Sequence, residues 1–104
     1  MKVLIGGHRY ELSNFEEPDK KGQIIQFIHK EPVSEGASEM ETLHDGTSNE
    51  ELLEVLINRM NYLQSKFPCK ANAIVITNLE ESLMWLEQRT RDRLKREVEG
   101  KSIK

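Results

Sequence analysis

Trp85, Arg89 and Arg93 stand four residues apart in the segment MWLEQRTRDRLKREVEG. On a helix, side chains at i, i+4 and i+8 form one stripe. A flat aromatic followed by two guanidiniums suits a ligand that carries both a base and phosphates. Arginine presents a planar, permanently charged fork that meets phosphate oxygens in pairs. Arg91 and Arg96 lie near enough in sequence to assist. Upstream, Tyr62 and Phe67 offer faces on which a base stacks for roughly 1–3 kcal/mol. Asn72 offers two donors and an acceptor, which suits a base edge or a ribose hydroxyl. Free N–H groups near residues 71–73, at the start of a second helix, would favour an anion.

Each of these residues also has a purely structural reading. Trp85 reads first as a core or interface anchor and only second as a stacking residue. Tyr62 can cap a core with its hydroxyl in water. Asn72 is a fair helix N-cap by type. Cations late in a helix are favoured by its dipole whatever the ligand. Taken singly each residue reads as structural, and their joint placement is what makes a ligand site a candidate. Catalysis has little support: the chain has no nucleophile paired with a base and no Gly-rich phosphate loop. Cys69 is the only cysteine and has no partner at motif spacing, and His8, His29 and His44 are scattered. Neither a reactive thiol nor a metal or other cofactor is expected.

The elements that must position these residues follow from pattern. A chain of 104 residues makes one domain. Its net charge of −3 disfavours a polyanion partner, although the charge is unevenly placed. Residues 31–54 carry eight acids, with Lys30 just before them. Residues 89–104 carry Arg89, Arg91, Arg93, Lys95, Arg96, Lys101 and Lys104 against three acids. Such asymmetry fits a local anion site or acid–base pairing between subunits. With no signal peptide and no long apolar run, the chain reads as a soluble cytosolic protein with no membrane partner.

The first 43 residues are strand-rich. KVLI and HRYEL flank Gly6-Gly7 and predict a hairpin with a primed turn. NFEEPDKKG marks a loop. QIIQFIHK, residues 23–30, reads as one further strand, and EPVSEGASE as a polar linker. Met40–Leu43 predicts a last short strand before a His44-Asp45-Gly46 turn. Thr47 with Glu50, or Ser48 with Glu51, fits a capping box. Leu52, Leu56, Met60, Leu63 and Phe67 then form one apolar stripe on a helix over 49–66. Residues 73–77 are β-branched enough to pass for a strand. The spacing of Ile76, Leu79, Leu83 and Leu86 instead predicts one long helix from about 71 to about 97, ending before Gly100.

The expected fold class is therefore α+β. A small N-terminal antiparallel sheet precedes an antiparallel helix pair over 47–98, the second helix long, and residues 99–104 form a flexible tail. Ile74, Val75, Met84 and Trp85 lie off the main stripe of the second helix. A helix apolar on two sides is usually covered on two sides. The economical cover is a second copy in a homo-oligomer, against the alternative that the sheet covers that face within one chain.

NEELLEVLINRMNYLQSKFPCK followed by NAIVITNLEESLMWLEQRTRDRLKREVEG resembles the Acb2/Tad1-type phage domain, and more narrowly the Thoeris anti-defence family of phage proteins. The resemblance spans about residues 1–100. It is most specific in LEESLMWLEQRT and weak in the strands. It implies a sponge that works in the cytoplasm of an infected bacterium. Such proteins bind glyco-cyclic ADP-ribose, the signal made by a bacterial TIR enzyme, and do not cleave it. Some members also hold cyclic di- or trinucleotides of CBASS defence at a separate site formed in higher oligomers. The resemblance further implies a pocket at a dimer interface, built from Tyr62, Asn72, Arg89 and Arg93, with dimers able to assemble into hexamers. An oligomeric phage structural protein, or a nucleic-acid-binding accessory, is the competing reading.

Overall fold

The computed structural model describes residues 1–100, with side chains through Glu97. The chain divides into two compact units, one over 1–48 and one beginning at Asn49. The order is β1 Lys2–Ile5, β2 Arg9–Glu11, β3 Ile24–Gln26, β4 His29–Pro32, β5 Met40–His44, α1 Asn49–Lys66 and α2 Lys70–Gly100. The α+β class is as expected.

In the first unit, β1, β2 and β3 form an antiparallel sheet in that order, and β4 and β5 form a separate antiparallel pair. The β1–β2 connection departs from a two-residue primed turn. Ile5 pairs with Arg9, so Gly6, Gly7 and His8 all lie between the strands. His8 N–H donates to Ile5 O at 3.0 Å. Gly7, at φ 79°, takes the position where a type II turn requires a positive angle. The register irregularity in β1 accommodates the extra residue and leaves His8 in the turn.

The expected single strand over 23–30 is broken. Its first part stays with β2, where Tyr10 pairs with Ile25, and its second part pairs with β5. Thr47 supplies the reason. Its N–H donates to Gln26 O and its carbonyl accepts from Ile28 N–H, both at 2.9 Å, so it takes up the backbone where the two halves meet. Gly46 permits this approach, since a Cβ there would meet the backbone of Gln26 and Phe27. Part of the expected linker is thus strand: Glu31 and Pro32 pair with Glu41 and Met40.

The second unit is a helical hairpin. Helix α1 covers the expected residues, and α2 takes in residues 73–77 as helix. It also continues through Gly100 rather than stopping before it, because one terminal glycine costs only about 1 kcal/mol in a helix. Of the expected tail, Glu99 and Gly100 belong to α2, and residues 101–104 lie outside the described residues.

The hairpin seam shows how the helices meet. On α2 the half-buried residues facing the seam are Asn72, Ile76, Leu79, Leu83, Leu86, Thr90 and Arg93, while Gln88 is half-buried on the far side of the helix. Their spacing alternates between four and three, the repeat of a coiled-coil seam. On α1 Glu50, Leu52, Leu53, Ile57, Met60, Leu63 and Gln64 are half-buried, and Glu50, Leu53, Ile57, Met60 and Gln64 among them repeat the seam spacing. This corrects the expected stripe. Of that stripe Met60 lies on the seam, Leu52 and Leu63 are half-buried but on one flank of α1, rotated from the seam, and Leu56 and Phe67 are exposed. Thr90 Oγ donates to Glu50 Oε2 at 3.4 Å and closes one end. At the other end Gln64 grips the turn: its Nε2 donates to Cys69 O at 3.2 Å, and its Oε1 accepts from Cys69 N–H at 3.1 Å.

Candidate functional site

The two grooves of the hairpin differ in character. One, of about 320 Å³, is lined by Glu54, Asn58, Asn61, Glu80, Met84 and Glu87 among others. Three carboxylates make it hostile to phosphate. The other, of about 250 Å³, is lined by Asn49, Leu52, Leu53, Leu56 and Leu86. Along α2, positions four apart differ by roughly 40° and adjacent positions by roughly 100°. Trp85 and Arg89 therefore lie on the side of α2 turned away from Glu80 and Glu87, the side that the apolar groove shares through Leu86. Arg93 follows one step further round, on the seam.

The arginines are available for a ligand. Trp85 is 61% exposed. Arg89, Arg91 and Arg96 are exposed, and Arg93 is half-buried beyond Thr90. Arg89, Arg93 and Arg96 form no ion pair among the described residues. Arg91 is partly committed, since its Nη2 donates to Gln88 Oε1 at 2.9 Å, and Gln88 Nε2 in turn donates to Asp92 Oδ1.

At the opposite end, around the connection, stand Tyr62, Phe67 and Asn72. Tyr62 is 55% exposed and Phe67 77%. The Lys66 ammonium sits 5.7 Å from the Tyr62 ring centroid, so one face of that ring already has a cation against it. Asn72 is not the cap of α2. Cys69 holds that position, its Sγ accepting from Asn72 N–H at 3.4 Å and its carbonyl from Ala73 N–H at 3.2 Å. Two of the N–H groups expected to be free at the helix start are thus taken. The Asn72 side chain donates to Phe67 O at 3.4 Å, which leaves its own oxygen open.

Within one chain the two sets do not meet. Asn72 and Arg89 are 17 positions apart on a continuous helix, about 26 Å at a rise of roughly 1.5 Å per residue.

A second convergence lies in the first unit and was not expected from sequence. His8 and His29, far apart in the chain, stack with ring centroids 3.5 Å apart and planes 7° from parallel. His29 Nε2 lies 2.8 Å from Glu31 Oε2. One donor atom from each of these three residues lies within 4.8 Å of the others. The only sequence signal is His29-Lys30-Glu31, because i and i+2 share a face of a strand. His8 joins them only through the turn it occupies.

Two small antiparallel sheets followed in the chain by a long helical hairpin define a class. A model of the Acb2/Tad1 hairpin domain matches residues 23–91, and the chain belongs to that family. Thoeris anti-defense 1 of Bacillus phage SBSphiJ7 is 51% identical to it over 57 residues. The matched stretch covers 54% of this chain and 40% of that protein, less than half of its length. Among the described residues no helix is long and apolar enough to cross a membrane.

Proposed function

We propose that this protein binds and holds a cyclic ADP-ribose-type signal, glyco-cyclic ADP-ribose, without cleaving it. By removing the signal made by a bacterial TIR enzyme it would silence Thoeris immunity in the cytoplasm of the infected host. The observation that carries this reading is the set Trp85, Arg89 and Arg93: an exposed aromatic and two arginines without ion pairs, beside an apolar groove. The name of the phage relative supports the biological setting.

The pocket is shared between copies. The aromatic–amide end and the basic end of one hairpin are too far apart to hold one nucleotide. A second hairpin, laid antiparallel by a two-fold axis, sets Tyr62, Phe67 and Asn72 of one copy beside Arg89 and Arg93 of the other. Arg91 and Arg96 assist from either copy. In this reading adenine stacks on Tyr62 or Phe67, Asn72 reads a base edge or ribose hydroxyl, and the arginines clamp the pyrophosphate. The same reading extends to cyclic di- or trinucleotides, held at a separate pocket when dimers assemble into a hexamer.

The test is to mix protein with glyco-cyclic ADP-ribose, remove free ligand, denature by heat and chromatograph the supernatant. Intact signal is expected. A hydrolysed product would mean an enzyme, and an empty supernatant would remove the assignment. Calorimetry with a panel of cyclic oligonucleotides decides the second pocket.

A further inference from the structure

We propose that His8 and His29, with Glu31 supporting His29, bind one divalent transition-metal ion of the zinc type in the first unit. His29 is the one buried residue among those described, 9% exposed, in a unit with no fully buried apolar side chain. Its Nδ1 is buried and has no hydrogen-bond partner. Leaving such a nitrogen unsatisfied costs roughly 1–3 kcal/mol and calls for an occupant.

The surrounding chemistry selects the occupant. The contact with Glu31 holds the proton of neutral His29 on Nε2 and leaves Nδ1 a bare lone pair. A carboxylate that fixes an imidazole in this way is the usual support for a metal-ligating histidine. His8 brings a second imidazole to van der Waals distance. Two imidazole nitrogens, one of them backed by a carboxylate, match zinc, copper or nickel better than calcium or magnesium. His44 is opposite His29 in the β4–β5 pair, but the Arg9 guanidinium lies 3.2 Å from its ring and makes it a poor third imidazole. Lys30, between His29 and Glu31, points to the other face by strand alternation.

Ion binding requires one movement. Each imidazole ligates in its own plane, so two parallel rings cannot share an ion, and the His8 ring must tilt out of the stack. Its backbone stays fixed by the bonds to Ile5 O and from Phe27 N–H, while the half-buried side chain turns. The ion then ties the β1–β2 turn to β4, linking the two small sheets where apolar packing is thin.

The test uses the full chain carrying Cys69→Ser, which removes the exposed thiol as a rival ligand. Zinc titration by calorimetry and cobalt titration by visible spectroscopy are expected to show one saturable equivalent. His8→Ala and Glu31→Gln should each weaken it at least about tenfold, the scale of lost ligands and supports. Both side chains are partly exposed, so both variants should fold, which far-ultraviolet circular dichroism verifies. The proposal is overturned if neither metal saturates the parent up to about 100 µM, a range that includes weak sites. It is equally overturned if both variants bind as the parent does.

Discussion

Arg89 and Arg93 are one helical turn apart, yet they differ in surroundings. Arg89 is exposed, while Arg93, at a seam position, is half-buried. Changing either to Ala should weaken a cyclic ADP-ribose-type ligand by about 1.5–3 kcal/mol, the range for hydrogen bonds to charged groups. That is about tenfold or more in affinity. Arg89→Lys should also bind less well, because an ammonium cannot reproduce the planar fork. Only Arg93→Ala should lower the melting temperature noticeably, since it removes a half-buried side chain at a seam position as well as charge. Affinity and melting measured on the same variants separate a ligand clamp from a helix-end cation. Unaltered binding in both would place the pocket elsewhere. The stripe itself was legible, because helical spacing is a local property. What Asn72 and Cys69 do was not. Asn72 has the type of a cap, but the cap is set by where the turn closes, and Gln64 closes it around Cys69.

At the scale of elements, the helices were legible and the strands only in part. Eighteen residues of α1 repeat their pattern over five turns, whereas β2 and β3 have three residues each. Short strands depend on partners distant in sequence, as the break at Phe27–Ile28 shows. Thr47 and Gly46 make that break. Gly46→Ala should therefore destabilise the first unit by about 1–3 kcal/mol, as overpacking against backbone does. Gly6→Ala, where a Cβ meets nothing, should be tolerated. Amide exchange at Ile28 and Thr47 reads the difference directly: faster in the first variant and unchanged in the second. Equal protection in both would mean that the close approach carries no strain.

For the whole molecule, the decisive observation is what stays exposed. No apolar side chain among the described residues is fully buried. Ile74, Val75, Met84 and Trp85, the residues off the α2 seam, are all exposed. Apolar surface of this kind marks an interaction site more often than a free surface. The protein should run as a dimer or larger in light scattering at micromolar concentration. Its melting temperature should rise with protein concentration, as it does when folding is coupled to association. A monomer mass throughout would defeat the shared nucleotide pocket together with the oligomer.

The sequence by itself determined the class, the two helices and the arginine stripe, because periodicity and charge are read within a few turns of one helix. It also carried the family resemblance, which the match over residues 23–91 bears out. Tertiary structure alone decided which face of α1 meets α2. Leu56 and Ile57 are adjacent and both apolar, and only the partner helix distinguishes them. It decided where strand 23–30 breaks, since Thr47 reaches those residues only in space. It also placed His8 on His29, because a ring stack between residues in different strands and turns has no local signature.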